Sequence, residues 1–267
     1  MEEKSKARFE TALVTGASSG IGLEVARRLA KEGYNLLLVA RDKKQLTDVA
    51  IQIRGDYKVS VGVIAQDLAK ENAAQDLYNL IKKNNQKISV LVNNAGFGGY
   101  GEHIERKLVD EQAMIHLNIQ TLMSLTKLFA ADMAANGDGK ILNVASVAGY
   151  LPGPYQAVYF ATKAFVVSYS LAVAQELQNK GVSVTCLCPG PTATQFAARA
   201  GMANSSVFKN GMEADTVARL ALDGLFHGKT LVVPGFRNKL SLFGLRFLSQ
   251  TFVAKVFAKR SAALFTK

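Results

Sequence analysis

Metal-binding and disulfide chemistry have little to work with in this sequence, which holds two cysteines and three histidines among 267 residues. Cys186 and Cys188 stand two apart in VTCLCPG, on one face of a predicted strand, a placement that rarely closes a disulfide. They read as small apolar residues packed in a reducing compartment. His103, His116 and His227 are scattered and lack the spacing of a ligand set. Proline is scarce, five in all, and no Pro/Ser-rich, low-complexity or repeated segment divides the chain, so residues 1–267 are expected to form one domain. The start, MEEKSKARFE, is charged and has no apolar secretory core, which predicts a cytoplasmic protein. The longest uncharged run, Ile141 to Phe160, carries Gly149, Pro152, Gly153 and Pro154 and is not expected to span a membrane. Acidic residues are missing from Gly224 to Lys267, where Lys229, Arg237, Lys239, Arg246, Lys255, Lys259, Arg260 and Lys267 concentrate much of the +11 net charge.

What the sequence does have is alternation. Short apolar runs rich in β-branched residues and leucine (TALVT, YNLLLVA, VSVGVIA, ISVLVNN, KILNVAS, VSVTCLC, TLVVP) recur between segments of helical period. The helical segments are Ile21 to Lys31, Lys43 to Arg54, Asn72 to Lys83, roughly Asp110 to Ala135, and Tyr159 to Asn179. Right-handed crossovers then require a doubly wound α/β fold, a parallel sheet of about seven strands with helices on both faces. Ligands of such a Rossmann-type sheet gather at the carboxyl ends of its strands.

The first strand ends in TGASSGIG, Thr15 to Gly22, and runs straight into an amphipathic helix. Gly16, Gly20 and Gly22 permit a tight turn, close approach of backbone to a pyrophosphate, and close helix–strand packing, while the helix N-terminus offers N–H groups to the anion. The spacing is G-x-x-x-G-x-G rather than G-x-G-x-x-G. At the end of the second strand an acidic side chain would hold a ribose 2′-hydroxyl and an arginine would accept a 2′-phosphate. Arg41 stands there, favouring NADP(H) over NAD(H), with Lys44 as a candidate helper and Asp42 as cap of the next helix.

Tyr159 and Lys163, in YFATK, are four apart on a predicted helix and so share a face. Reducing a carbonyl leaves negative charge on oxygen, and free tyrosine, at about 10, is a weak acid for that task. A neighbouring ammonium is expected to lower its pKa. Ser146 follows the fifth strand at its carboxyl end, and the Gly/Pro-rich loop after it can fold it back towards Tyr159, where its hydroxyl can hold the substrate oxygen.

Taken together, TGASSGIG, Asp67, NNAG at Asn93 to Gly96, Asn118, Ser146, YFATK and Pro189-Gly190 resemble the short-chain dehydrogenase/reductase family, in order and spacing, from about Ala12 to Thr194. The resemblance implies an oxidoreductase acting on CH–OH groups. It places Ser18, Ser19 and Ile21 of the glycine loop, Asp67 and Leu68, and Asn94, Ala95 and Gly96 along the dinucleotide. It brings Pro189, Gly190, Thr192 and Thr194 to the nicotinamide carboxamide, hydrogen-bonds Lys163 to the nicotinamide ribose, and has Asn118 hold a water that links the lysine to solvent. Without the resemblance, Asn118 reads as a buried helix polar group. The family also suggests a homo-oligomer.

Residues 190–212 resemble the substrate lid, with Phe196, Met202, Val207 and Phe208. Phe97, Tyr100, Tyr150, Leu151 and Tyr155 are expected to face the same cleft, implying an apolar carbonyl or alcohol substrate such as a 3-oxoacyl or steroid-like ketone. Residues 236–267 form a basic extension of two amphipathic pieces, with Phe236, Leu240, Phe243 and Phe247, then Phe252, Val253, Val256 and Phe257. That pattern fits a subunit contact, an entrance for acyl chains, or an interfacial membrane helix. Nucleic-acid binding is not expected, because no interleaved aromatic and base-reading groups accompany the charge. The rival to an oxidoreductase is a cofactor-binding regulator or membrane-surface scaffold with little chemistry; the intact Asn/Ser/Tyr/Lys set argues against it.

Overall fold

The computed structural model describes residues 10–202 and 211–265. Seven parallel strands form one sheet in the order β3-β2-β1-β4-β5-β6-β9: β1 Thr11–Thr15, β2 Asn35–Ala40, β3 Val61–Ala65, β4 Ile88–Asn93, β5 Gly139–Val144, β6 Val182–Leu187 and β9 Leu231–Val232. β3 lies at an edge and is half exposed, and β9 shrinks the predicted TLVVP strand to two residues. A separate pair, β7 Thr192–Ala193 with β8 Met212–Glu213, is parallel and was not legible in the apolar pattern.

Period-two alternation divides the strand residues between two cores. Ala12, Val14, Leu36, Leu38, Val90 and Val92 face helices α1 Gly20–Lys31, α2 Lys43–Tyr57 and α8 Ala214–Phe226. Leu13, Leu37, Leu91 and Ile141 face the other side, against α3 Ala73–Lys83 and α5 Leu122–Asn136. The long predicted helix from Asp110 to Ala135 is α4 Leu108–Ile115 followed by a π-helical turn, His116–Thr121, and then α5. The predicted helix at Tyr159 is α6 Ala157–Leu177, preceded by a 3₁₀ turn at Val147–Tyr150. Residues Ala157–Lys180 reach the length and hydropathy of a membrane span, yet α6 is the core helix that buries Tyr159, Lys163, Val166 and Ser170 in protein. The chain ends with α7 Phe196–Arg199, α8, α9 Phe236–Leu245 and α10 Gln250–Phe265.

Strand order reverses between β1 and β4, whose paired carboxyl ends open the crevice expected to take a ligand. A buried polar network fixes the sheet beside it. Asn93 Nδ2 donates to Thr126 Oγ1 and Asn143 Oδ1, both at 2.9 Å, and Asn143 Nδ2 donates to Ser170 Oγ at 3.0 Å. Four elements are tied at one level, so Asn93, the first residue of NNAG, supports the central sheet.

Candidate active site

The glycine loop is latched from the neighbouring strand. Thr15 Oγ1 donates to Val92 O at 3.2 Å and accepts from the N–H groups of Asn94 and Ala95, each at 3.0 Å. Asn94 Nδ2 in turn donates to the carbonyls of Thr15 and Gly16, at 3.0 and 3.1 Å. Gly16 and Gly20 hold positive φ, 66° and 58°, which lets the chain turn under the start of α1. Gly22 does not line the crevice; it is the packing glycine. A Cβ there would lie 2.3 Å from Asn94 Nδ2 and 2.4 Å from Gly16 O. Gly22→Ala is expected to destabilise by about 1–3 kcal/mol and to displace the loop. Thermal denaturation together with a cofactor titration checks this, and an unchanged melting temperature with unchanged affinity would refute the packing role.

One cavity of about 790 Å³ is lined by the loop residues Gly16, Ser18, Ser19, Gly20 and Ile21 and by Arg41, Asp67, Leu68, Asn94, Ala95 and Gly96. Its far end is lined by Ser146, Tyr159, Lys163, Pro189, Gly190, Thr192 and Thr194. Of the predicted site residues, Gly22 and Asn118 do not line it. Arg41 is exposed just beyond β2, and Asp42 caps α2 by accepting from Gln45 N at 2.9 Å. Lys44 does not line the cavity, whereas Gln45 does, since α2 turns the lysine outward. Ser19 makes no side-chain cap at the start of α1. The helix N-terminus, the glycine cradle that a side chain would fill and the cationic Arg41 together suit an extended anionic dinucleotide, with Arg41 at one end of the cavity and Thr192 and Thr194 at the other.

At the catalytic end, the 3₁₀ turn folds Ser146 against α6. Gly149 permits this approach, because a Cβ there would stand 2.6 Å from Lys163 O. Ser146 Oγ accepts from Ala148 N at 3.1 Å and donates to Pro189 O at 3.4 Å, with the Tyr159 phenol close by. The Tyr159 ring is wedged beside Phe196, centroids 5.4 Å apart. Lys163 Nζ donates to Val144 O at 2.8 Å and lies 5.9 Å from the Tyr159 ring centroid. The expectation that the ammonium acidifies the phenol is corrected here. Burial pushes Tyr159 up to about 12, with the nearby Ser146 hydroxyl pulling the other way, and burial pulls Lys163 down to about 8. The site is dry enough that desolvation outweighs attraction across that separation.

Asn118 sits in the π turn, nearly fully buried, and its side chain is committed to protein. It accepts from Phe97 N at 3.2 Å and donates to Phe97 O at 2.9 Å and to Thr162 Oγ1 at 3.1 Å. Asn118 clamps the Gly96–Phe97 edge of the cavity against α6, the buried-polar reading. Thr162, which sequence reasoning missed, completes that clamp.

The substrate side differs from expectation in part. Phe97 and Leu151 line the cavity, but Tyr100 and Tyr155 stack on each other outside it, centroids 6.1 Å apart. Tyr150 turns to the opposite side, against Cys186 and Cys188, where burial pushes its pKa up. Those cysteines are free and buried, sulfurs 3.7 Å apart. From the expected lid, Phe196 and Met202 line the cavity, while Val207 and Phe208 lie outside the described residues. Sequence reasoning missed Phe160, Arg199 and two residues from the far C-terminus, Phe257 and Ser261. Tyr100 donates its hydroxyl to Ser261 O and anchors α10 there.

Comparison with known proteins agrees with this geometry. The profile of a family described as short chain dehydrogenase matches residues 10–205. Human very-long-chain 3-oxoacyl-CoA reductase is 37% identical over 194 residues, 70% of this chain but 61% of that protein, so the chain spans less than two thirds of that relative's length. Sulfoacetaldehyde reductase 2 of Chromohalobacter salexigens is 32% identical over 242 residues, 88% of this chain and 94% of the relative. Among solved structures, a short-chain dehydrogenase from Sphingobium yanoikuyae in complex with NADPH superposes with a TM-score of 0.81 at 32% identity, covering 89% of this chain and 93% of that one.

Proposed function

The chain belongs to the short-chain dehydrogenase family, and on that premise we propose that it is an NADP(H)-dependent oxidoreductase interconverting a ketone or aldehyde and an alcohol on an apolar substrate. One observation carries the reading: Ser146, Tyr159 and Lys163 line the same cavity as the glycine loop, so proton chemistry and a dinucleotide share one space. The nicotinamide dinucleotide supplies hydride when bound. Gly16 to Ile21 and Arg41 would hold its phosphates, Asp67 and Leu68 would flank its adenosine end, and Thr192 and Thr194 would take its amide.

The protein's own residues handle the oxygen and the proton. Ser146 Oγ holds the substrate oxygen, and Tyr159, protonated at neutral pH because its pKa stands near 12, gives it a proton as negative charge develops. Lys163, charged at neutral pH with a pKa near 8, is a stronger acid than the phenol beside it. With Nζ 5.9 Å from the Tyr159 ring centroid, the lysine is the buried cation beside the phenol and acts as the reservoir that restores the tyrosine. Phe97, Leu151, Phe160, Phe196, Met202 and Phe257 exclude water and favour hydrophobic ketones, in line with the acyl substrate named for the human relative. Consumption of NADPH absorbance with a panel of such ketones tests the whole reading, and no turnover with any of them at saturating cofactor would defeat it.

Arg41 tests the coenzyme. Arg41→Ala is expected to weaken NADPH binding about tenfold and leave NADH binding nearly unchanged, because a charge-assisted contact to the 2′-phosphate contributes on that scale. Equal weakening of both would remove Arg41 from phosphate recognition. For the homo-oligomer, support comes from α4 and the turn before it, where Ile104, Leu108 and Val109 are 84%, 71% and 65% exposed.

A further inference from the structure

The C-terminal helices leave one face bare and hold the other against the protein. On α9, Phe236, Leu240 and Phe243 are 78%, 59% and 57% exposed, and Phe247, in the turn to α10, is 75% exposed. Their spacing, i, i+4, i+7 and i+11, gathers them on one helical side. Phe252, 53% exposed, extends the patch onto α10. The inner side is engaged. Asn238 donates to Pro234 O at 2.7 Å and packs so closely on the cofactor loop that a Cβ on Gly190 would lie 2.5 Å from its Nδ2. On α10, Val253 is buried and Phe257 and Ser261 line the catalytic cavity. Soluble surfaces seldom leave so many large aromatic groups contiguous and uncovered.

Charge decides what covers them. Arg237, Lys239, Arg246 and Lys255 flank the aromatic patch, Lys259 follows on α10, and the sequence holds no acidic residue from Gly224 onward. A second copy of this face would set cation against cation across a symmetric contact, and nucleic acid offers nothing to phenylalanines that point outward in a row. An anionic lipid surface complements both features, taking the rings at the acyl boundary and the cations at the phosphates. We propose that the α9–α10 segment docks this protein on the surface of a bilayer containing anionic phospholipid.

Docking also places the catalytic cavity. A groove of about 730 Å³ runs beneath α9, lined by Phe236, Leu242, Phe243 and Leu248, and it shares Leu151 with the cavity that holds Tyr159. An apolar substrate dissolved in the bilayer thus meets a groove with apolar side chains along it, one side chain away from the site, with Lys239 and Arg246 also in its lining. This consequence rests on the apolar-ketone reading above; the docking itself does not.

Co-sedimentation of the full chain with vesicles of phosphatidylcholine, with and without phosphatidylglycerol, tests the proposal. Binding is expected to be about tenfold or more tighter to the anionic vesicles and to weaken as salt rises. Leu240→Ser with Phe247→Ser is expected to lower partitioning by about tenfold, with circular dichroism and turnover of a water-soluble ketone unchanged. Arg237→Glu with Lys255→Glu, which leaves the packing intact, is expected to do the same should the first variant misfold. Equal binding to both vesicle types, or none to either, overturns the proposal. So does light scattering that finds a dimer converted to monomer by Leu240→Ser with Phe247→Ser, which would assign the face to a second copy. Loss of docking with turnover retained would leave the proposed chemistry standing, and the reverse result would leave the surface standing.

Discussion

Tyr159→Phe is expected to retain cofactor binding and fold while turnover falls by about a thousandfold or more, the scale of a lost general acid in a positioned site. The change removes one oxygen and no volume. The ring keeps its contacts with Phe160 and Phe196, whose centroids lie 6.0 and 5.4 Å away. Ser146 keeps Ala148 N and Pro189 O as partners, so no buried group is orphaned and stability should change by about 1 kcal/mol or less. Other tyrosines offer no substitute: Tyr150 lies against the cysteines and lines a different groove, and Tyr155 stacks on Tyr100. Paired measurements of NADPH affinity by fluorescence and of steady-state reduction settle the matter. Unchanged affinity with collapsed turnover supports the assignment, and a variant that reduces ketones at the parent rate removes Tyr159 from the chemistry.

Much of this site could be read before any coordinates because its signals are local. Glycines at Gly16 and Gly20 are required by positive φ, the strand alternation that sends Ala12 and Leu13 to opposite cores is a period-two pattern, and Asp42 caps the helix that follows it. Features set by tertiary surroundings were not legible. Whether Lys163 acidifies Tyr159 depends on how dry the pocket is and where Nζ points, and neither follows from a four-residue spacing. The side chain of Asn118 faces protein because a π turn rotates it there, and helical period alone does not announce such a turn. Phe257 and Ser261 reach the cavity from nearly a hundred residues beyond Tyr159, through the packing of a terminal helix whose own pattern fitted several partners. The sequence carried the chemistry; burial decided its electrostatics.

Those electrostatics make Lys163→Met the sharper test, since activity and stability should move in different directions. At neutral pH the folded protein keeps an ammonium where burial has drawn its pKa from 10.5 to about 8, a penalty of about 3 kcal/mol relative to the unfolded chain. Methionine fills similar space without that penalty. It forfeits the 2.8 Å bond to Val144 O and leaves that carbonyl unpaired, a loss of about 1–3 kcal/mol. The two terms roughly cancel, so the melting temperature should stay within a few degrees of the parent or rise. Turnover should nonetheless fall about a thousandfold, because Tyr159 loses its proton reservoir. The pH dependence separates this account from a purely structural one. Between pH 8 and 10.5 the unfolded chain binds the lysine proton and the folded protein does not, so parental stability should rise through that window, and the variant should lack the rise. Tyr159 acts later and with opposite sign, since its folded pKa near 12 exceeds 10 and stability falls between those values in both proteins. Parental reduction should decline above pH 8 as Nζ loses its charge. A Lys163→Met protein that unfolds at room temperature would make the ammonium a structural pillar, and one that turns over normally would end the reservoir role.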